Sequence, residues 1–236
     1  MYISSSLFVA AVVGLAQAQT PPGFKPQVNT KLEIAFNSTS VSTPGQMLSK
    51  AATASQPRIA VASAKNNASD TFVYVMLDLD VPGEGKNATR RVLLHAMNIG
   101  YKATQQKTNG SATVLASTEK GPASYLPPGP PATDTMAHRY VQLLFQQPAN
   151  FNVKASDFAD IKARINFDID SFGAKNGLGT PIAANYFRVD GRTGGNATGT
   201  GGMPKPTLPT FEGAAGRMEI CTGLIGLVGG LALLGL

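Results

Sequence analysis

The sequence has one cysteine, Cys221, and two histidines, His95 and His138, in 236 residues. A single cysteine excludes an internal disulfide, thiol catalysis in the folded part and a zinc–cysteine site. Charge is sparse, at 14% of residues, and no Lys/Arg block or basic-aromatic stripe occurs, which excludes a nucleic-acid surface. There is no Gly-x-Ser-x-Gly nucleophile motif and no internal repeat. What charge there is gives a balance of +6. That balance suits anionic partners such as phosphate headgroups or acidic polysaccharide, and serves solubility equally well.

Both ends read as address signals. MYISSSLFVAAVVGLAQAQ lacks any charged residue; an apolar core from Leu7 to Leu15 precedes the small-x-small site Ala16-Gln17-Ala18. This predicts a signal peptide over 1–18. Ile220–Leu236 is an uncharged apolar tail, preceded by a polar spacer with Arg217 and Glu219 and by the small residues Gly213, Ala214, Ala215 and Gly216. Small site, spacer and tail predict glycosylphosphatidylinositol (GPI) attachment at Gly213, with removal of 214–236 and tethering to a membrane through the anchor. As a helix the tail would span about 25 Å, short of a bilayer core of about 30 Å. Five Asn-x-Ser/Thr sequons, at Asn37, Asn67, Asn87, Asn109 and Asn196, are glycosylation sites in a secreted chain. The expected location is the outer face of the plasma membrane or the cell wall.

Between the ends lie about 195 residues, enough for one domain with a core. Residues 19–30 are Pro-rich and expected to be extended, 31–190 to form one folded unit, and 191–213, rich in Gly, Thr and Pro, to be a stalk. Strand signals dominate the unit. Thr71–Leu77, Val92–Met97 and Tyr140–Phe145 read as buried strands, and Lys31–Phe36 as a weaker one. Arg164–Asp170 alternates, with Ile165, Phe167 and Ile169 on one side, and predicts a half-buried strand. Short helices are expected over Ala155–Ile161, capped by Ser156, and over Phe172–Lys175 after Ser171. The fold class is mainly β, a sandwich or large sheet with short peripheral helices.

Three polar groups accompany these strands: Asp78-Leu79-Asp80-Val81-Pro82 after the first, His95 inside the second, and a Gly/Pro-rich loop before His138-Arg139-Tyr140 at the third. Each alone reads as structural: an Asx turn, a satisfied core histidine, a rigid loop. Together they resemble the phosphatidylethanolamine-binding proteins, also called the Raf kinase inhibitor protein family. The matching segments are DLDVP at 78–82, LLHAMN at 93–98, GPP at 129–131, HRYV at 138–141 and PIAANYF at 181–187. The resemblance covers roughly residues 30–190 and implies a large central sheet packed by a smaller sheet, with helices on the other side. By residue match it implies a small anion pocket lined by Asp78, His95, Gly129, Pro130, His138 and Tyr140, with Asp80, Pro82 and Arg139 structural beside it and Asp80 paired with Arg139. Imidazoles and a phenol hydroxyl supply the donors a phosphate needs, and Asp78 can hold a histidine in one tautomer or keep it protonated. Leu79 stands where the family has Pro, Ala96 where an aromatic is common, and the loop before His138 is one residue longer. The stretch after Asp190 replaces the C-terminal helix of animal members.

These readings predict a non-enzymatic module that binds an anionic small ligand or phospholipid headgroup, without cofactor, metal or catalytic residue. The alternative is a protein-interaction role, inhibition of a secreted peptidase above all. Hydrolytic use of two His and an Asp, and a structural surface protein with a vestigial pocket, are the remaining readings.

Overall fold

Apolar β-branched and aromatic runs become the centre of one connected sheet system. The computed structural model describes residues 17–62, 69–85 and 88–192. Its strands are β1 (Leu32–Phe36), β2 (Thr39–Ser40), β3 (Gln46–Leu48), β4 (Arg58–Val61), β5 (Phe72–Val81), β6 (Arg91–Lys107), β7 (Thr113–Ala116), β8 (His138–Gln146) and β9 (Ala183–Val189). They are ordered β2-β1-β4-β7-β6-β5-β8-β9-β3, antiparallel except where β3 runs parallel to β9. β6 joins two sheets. Its first part, through Tyr101, pairs with β5, and its last part, from Lys102, pairs with β7. The mainly β expectation therefore holds, as does the small sheet against a large one.

Alternation along β5 divides the core. Phe72, Tyr74 and Met76 pack with Leu32, Ile34, Phe36, Ile59, Val61 and Leu115 of the small sheet. Val73, Val75 and Leu77 face the other way, toward Phe158, Ile169 and Leu178. Both faces of β5 are thus covered, and its sequence is correspondingly apolar from Phe72 to Leu77 before Asp78.

The helical layer differs from expectation. Ala155–Ile161 is not one helix: Ala155–Phe158 and Ile161–Arg164 form two 3-10 turns. Asp157 accepts from the Lys154 N–H and Asp160 from the Lys162 N–H, so each turn is capped by its own carboxylate and Ser156 caps neither. Arg164–Asp170 is not a strand. Only Ile165 bridges, to Leu93; Asn166 turns left-handed at φ 57°; and Asp168 accepts from the Asp170 and Ser171 N–H groups to start helix α1 (Ile169–Asn176). Residues 19–30 do not extend freely. The Gln19 N–H donates to the Val28 carbonyl at 2.7 Å, and Thr20 and Val28 are buried.

Asn37 and Asn109 lie exposed in the turns after β1 and β6. Asn67, Asn87, Asn196, Gly213, most of the signal-peptide segment and the stretch beyond Arg192 fall outside the described residues. Gly191, the first expected stalk residue, is buried. Among the described residues no helix is long and apolar enough to cross a membrane.

Candidate functional site

The site is assembled at one end of β5, β6 and β8. Asp78 pairs in register with Tyr140 on β8 and with Leu93 on β6. His138 and Tyr140 lie two residues apart on β8 and so share a face. His95 reaches that face through an irregularity. Met76 pairs with Ala96 while Leu77 pairs with Leu94, leaving His95 as an extra residue opposite the step, a β-bulge. Leu94 and Met97 remain together in the helix-side core, while Ala96 joins the inner one, and the His95 ring meets Tyr140 edge-on at 5.2 Å between centroids.

His138 is held at both ends. Its Nδ1–H donates to Asp78 Oδ2 and its Nε2–H to Asp134 Oδ2, each at 2.8 Å. Carboxylates only accept, so both ring nitrogens carry protons and the ring is an imidazolium. Burial lowers its pKa, but hydrogen bonds and charge from Asp78 and Asp134 outweigh that and raise it. Asp134 is gripped by Arg90, through Nη1 and Oδ2 and through Nη2 and Oδ1 at 2.9 Å. This pairing, with the bond from His138, holds its carboxyl well below the usual range.

Beside this chain, Arg139 binds Asp80 through Nε at 2.8 Å and Nη2 at 2.7 Å, the pairing the resemblance implied. Three carboxylates (Asp78, Asp80, Asp134) thus face three cations (Arg90, Arg139, His138), and the cluster is neutral as a whole.

Two polar atoms remain. His95 Nδ1–H donates to the Leu126 carbonyl at 2.8 Å, which leaves Nε2 as the acceptor in the neutral ring. Nε2 is buried without a hydrogen bond and lies 3.9 Å from Asp78 Oδ2. Burial lowers the His95 pKa more than Leu126 and Asp78 raise it. The Tyr140 hydroxyl is also buried and makes no hydrogen bond of good geometry, although Asp78 and the Gly129 backbone lie near it; burial, with Asp78 beside it, pushes its pKa far up. Its ring stacks on Phe187 at 5.3 Å.

The expected residues therefore fall into different roles. Asp78, His95, His138 and Tyr140 come together, each at most 4% exposed, and so form a closed cluster rather than an open pocket. His138 is committed to two carboxylates and has no ring nitrogen left for a ligand. Pro130 is buried and Gly129 exposed in the loop that begins at Leu126, whose N–H bonds the His95 carbonyl. That loop covers the cluster from outside. Gly191 backs it: a Cβ there would lie 2.1 Å from the Pro131 carbonyl oxygen. Pro82 is peripheral, its carbonyl accepting from Arg91. Asp134 and Arg90 escaped the sequence reading. An Asp four residues before His138 was the available signal for Asp134; Arg90, in a loop, offered none.

The model of the family described as "Phosphatidylethanolamine-binding protein" matches residues 38–187. Phomoidride biosynthesis cluster protein N of Talaromyces stipitatus is 32% identical over 198 residues, covering 77% of this chain and 96% of its own. CEN-like protein 1 of Nicotiana tabacum is 29% identical over 187 residues, covering 79% and 92%. The crystal structure of carboxypeptidase Y inhibitor complexed with its cognate proteinase aligns with a TM-score of 0.53 at 22% identity, over 70% of this chain and 84% of that one, a likeness of fold.

Proposed function

Because this chain belongs to the phosphatidylethanolamine-binding protein family, we propose that it is a non-enzymatic binding module that takes an anionic group, a phosphate or phospholipid headgroup, at Asp78, His95 and Tyr140. The observation that carries this reading is the pair of buried, unpartnered polar atoms, His95 Nε2 and Tyr140 Oη, beside one carboxylate and under a Gly/Pro loop. Buried polar atoms without partners cost stability, and a ligand entering when the loop lifts would satisfy both. The neutral cluster around them supplies fixed dipoles without a competing net charge. End signals and sequons support an extracellular, GPI-anchored setting.

Neutral His95 offers an acceptor, so an anion needs either its own proton or protonation of His95. Because the His95 pKa is lowered in the free protein, anion binding takes up a proton, and affinity rises as pH falls toward and below the ordinary histidine range. Calorimetry with phosphoethanolamine and inorganic phosphate, in buffers of different ionisation enthalpy, tests this. Saturable binding with proton uptake, lost in His95→Gln, is expected; no saturable heat from either ligand would overturn the reading.

Inhibition of a secreted peptidase is the second reading. The fold likeness to a carboxypeptidase inhibitor supports it. Its test is residual activity of a serine carboxypeptidase titrated with this protein; full activity at micromolar protein removes it.

A further inference from the structure

Outside this cluster, one buried cation has no counter-ion. Arg164 is 6% exposed, and among the described residues no carboxylate pairs with it. Its Nη1 donates to the Ser124 carbonyl at 2.8 Å and its Nη2 to Ser124 Oγ at 3.3 Å. Burial pulls its pKa down, the cost of holding a guanidinium away from water and from acids. Buried charges in proteins are ordinarily paired, because an unpaired one is strongly destabilising.

Arg164 contributes to the wall of a cavity of 580 Å³, with Gln56, Asn98, Lys120, Tyr125 and Phe158. Asn98 Oδ1, in the same lining, is buried without a hydrogen-bond partner. Glu119 is the one acid in the lining, and it lies against the Gly100 backbone: a Cβ at Gly100 would come within 2.1 Å of Glu119 Oε1. With Lys120 exposed at the edge, the lining carries two cations against one acid. The lining includes none of Asp78, His95, His138 and Tyr140. Asn98 follows His95 along β6, but the Ala123–Met97 pairing and the Leu126 bonds to His95 stand between the two places.

We propose that this cavity is a second binding site, for a compact oxyanion, a carboxylate or a phosphate, carried on a small hydroxylated molecule. Arg164 is its principal donor, since a planar fork matches the paired oxygens of either anion. Lys120 adds charge at the mouth, and the Asn98 amide takes a hydroxyl beside the anion. The two places share no lining residue, but the Arg164 charge helps to lower the His95 pKa, so they are electrostatically coupled and are tested separately.

The test is an amide-resolved NMR titration of the full chain with inorganic phosphate in one arm and glucuronate in the other. Saturable shifts at Asn98, Ser124 and Arg164 are expected in at least one arm, the preferred arm naming phosphate or sugar acid as the chemistry. Arg164→Gln weakens that binding about tenfold or more, as for losing a charge-assisted hydrogen bond. Lys120→Gln, at an exposed position that leaves the fold intact, weakens it about twofold. His95→Gln leaves it unchanged while abolishing phosphoethanolamine binding, so failure of one site is distinguishable from failure of the other. No saturable shift in either arm, shifts confined to the surroundings of His95 and Tyr140, or equal affinity in Lys120→Gln and wild type overturns the proposal. The last of these holds whether or not Arg164→Gln folds.

Discussion

Asp134→Asn is the sharpest test of how the His138 chain is held. The substitution keeps the shape of the side chain and removes the charge between Arg90 and His138. Asp134 and His138 are buried, at 7% and 1% exposure, but the Arg90 side chain is 33% exposed and recovers part of its solvation. The cost therefore falls near the lower end for breaking a buried ion pair, about 3 kcal/mol. At about 2–4 °C per kcal/mol for a domain of this size, the melting temperature drops by about 6–12 °C. The pH profile changes as well. The folded pKa of His138 is raised, so its contribution is complete below the ordinary histidine range and is lost as pH rises through the folded value. Asp134, whose pKa is depressed, contributes above the ordinary carboxylate range and loses that contribution as pH falls through its folded value. In the variant the alkaline loss begins at lower pH, because only Asp78 still sustains the imidazolium, and the acid-side loss due to Asp134 vanishes. Thermal unfolding followed by circular dichroism across pH reads both effects. Melting within a degree or two of wild type, with superimposable pH profiles, would refute the argument that Asp134 sustains the charge on His138.

Tyr140→Phe removes a buried hydroxyl that has no hydrogen-bond partner, so the free protein melts no lower than wild type and gains up to about 1 kcal/mol, while calorimetry shows weakened phosphoethanolamine binding. Gly191→Ala drives a methyl group into the Pro130 and Pro131 carbonyls, 2.6 and 2.1 Å from the new Cβ. It costs about 1–3 kcal/mol as an overpacked contact, and hydrogen exchange rises at Leu126 and Ala132.

The three central strands were legible because burial on both faces demands largely apolar runs, and Thr71–Leu77, Val92–Met97 and Tyr140–Phe145 have them, interrupted only at His95 and Gln142. Asp78, His95, His138 and Tyr140 were singled out by the motifs DLDVP, LLHAMN and HRYV through their resemblance to a family, each alone reading as structural, and the fold brings the four side chains together. Arg164–Asp170 was misread because Ile165, Phe167 and Ile169 repeat every second residue, as a strand would; the left-handed Asn166 and the cap at Asp168 override the pattern. β4 and β7 went unseen, being four residues each, too short for alternation to register. Arg90 and Asp134 come from separate loops, 44 residues apart, and nothing local marks such a pair. That His138 is bound at both nitrogens follows only from three-dimensional placement.

The bulge at His95 also bears on how readily binding could be lost. Pairing between β5 and β6 is regular from Tyr74 to Met76 before the step and from Leu77 to Asp78 after it, so deleting His95 alone would bring Leu94 and Ala96 into direct succession and let the two strands pair without interruption there. Both cores would keep their members. The strand pairing has no need of this residue, which serves the cluster and, through two bonds to Leu126, the loop beside it. A one-codon deletion would thus separate the scaffold from its chemistry, leaving a folded relative without the binding proposed for the cluster.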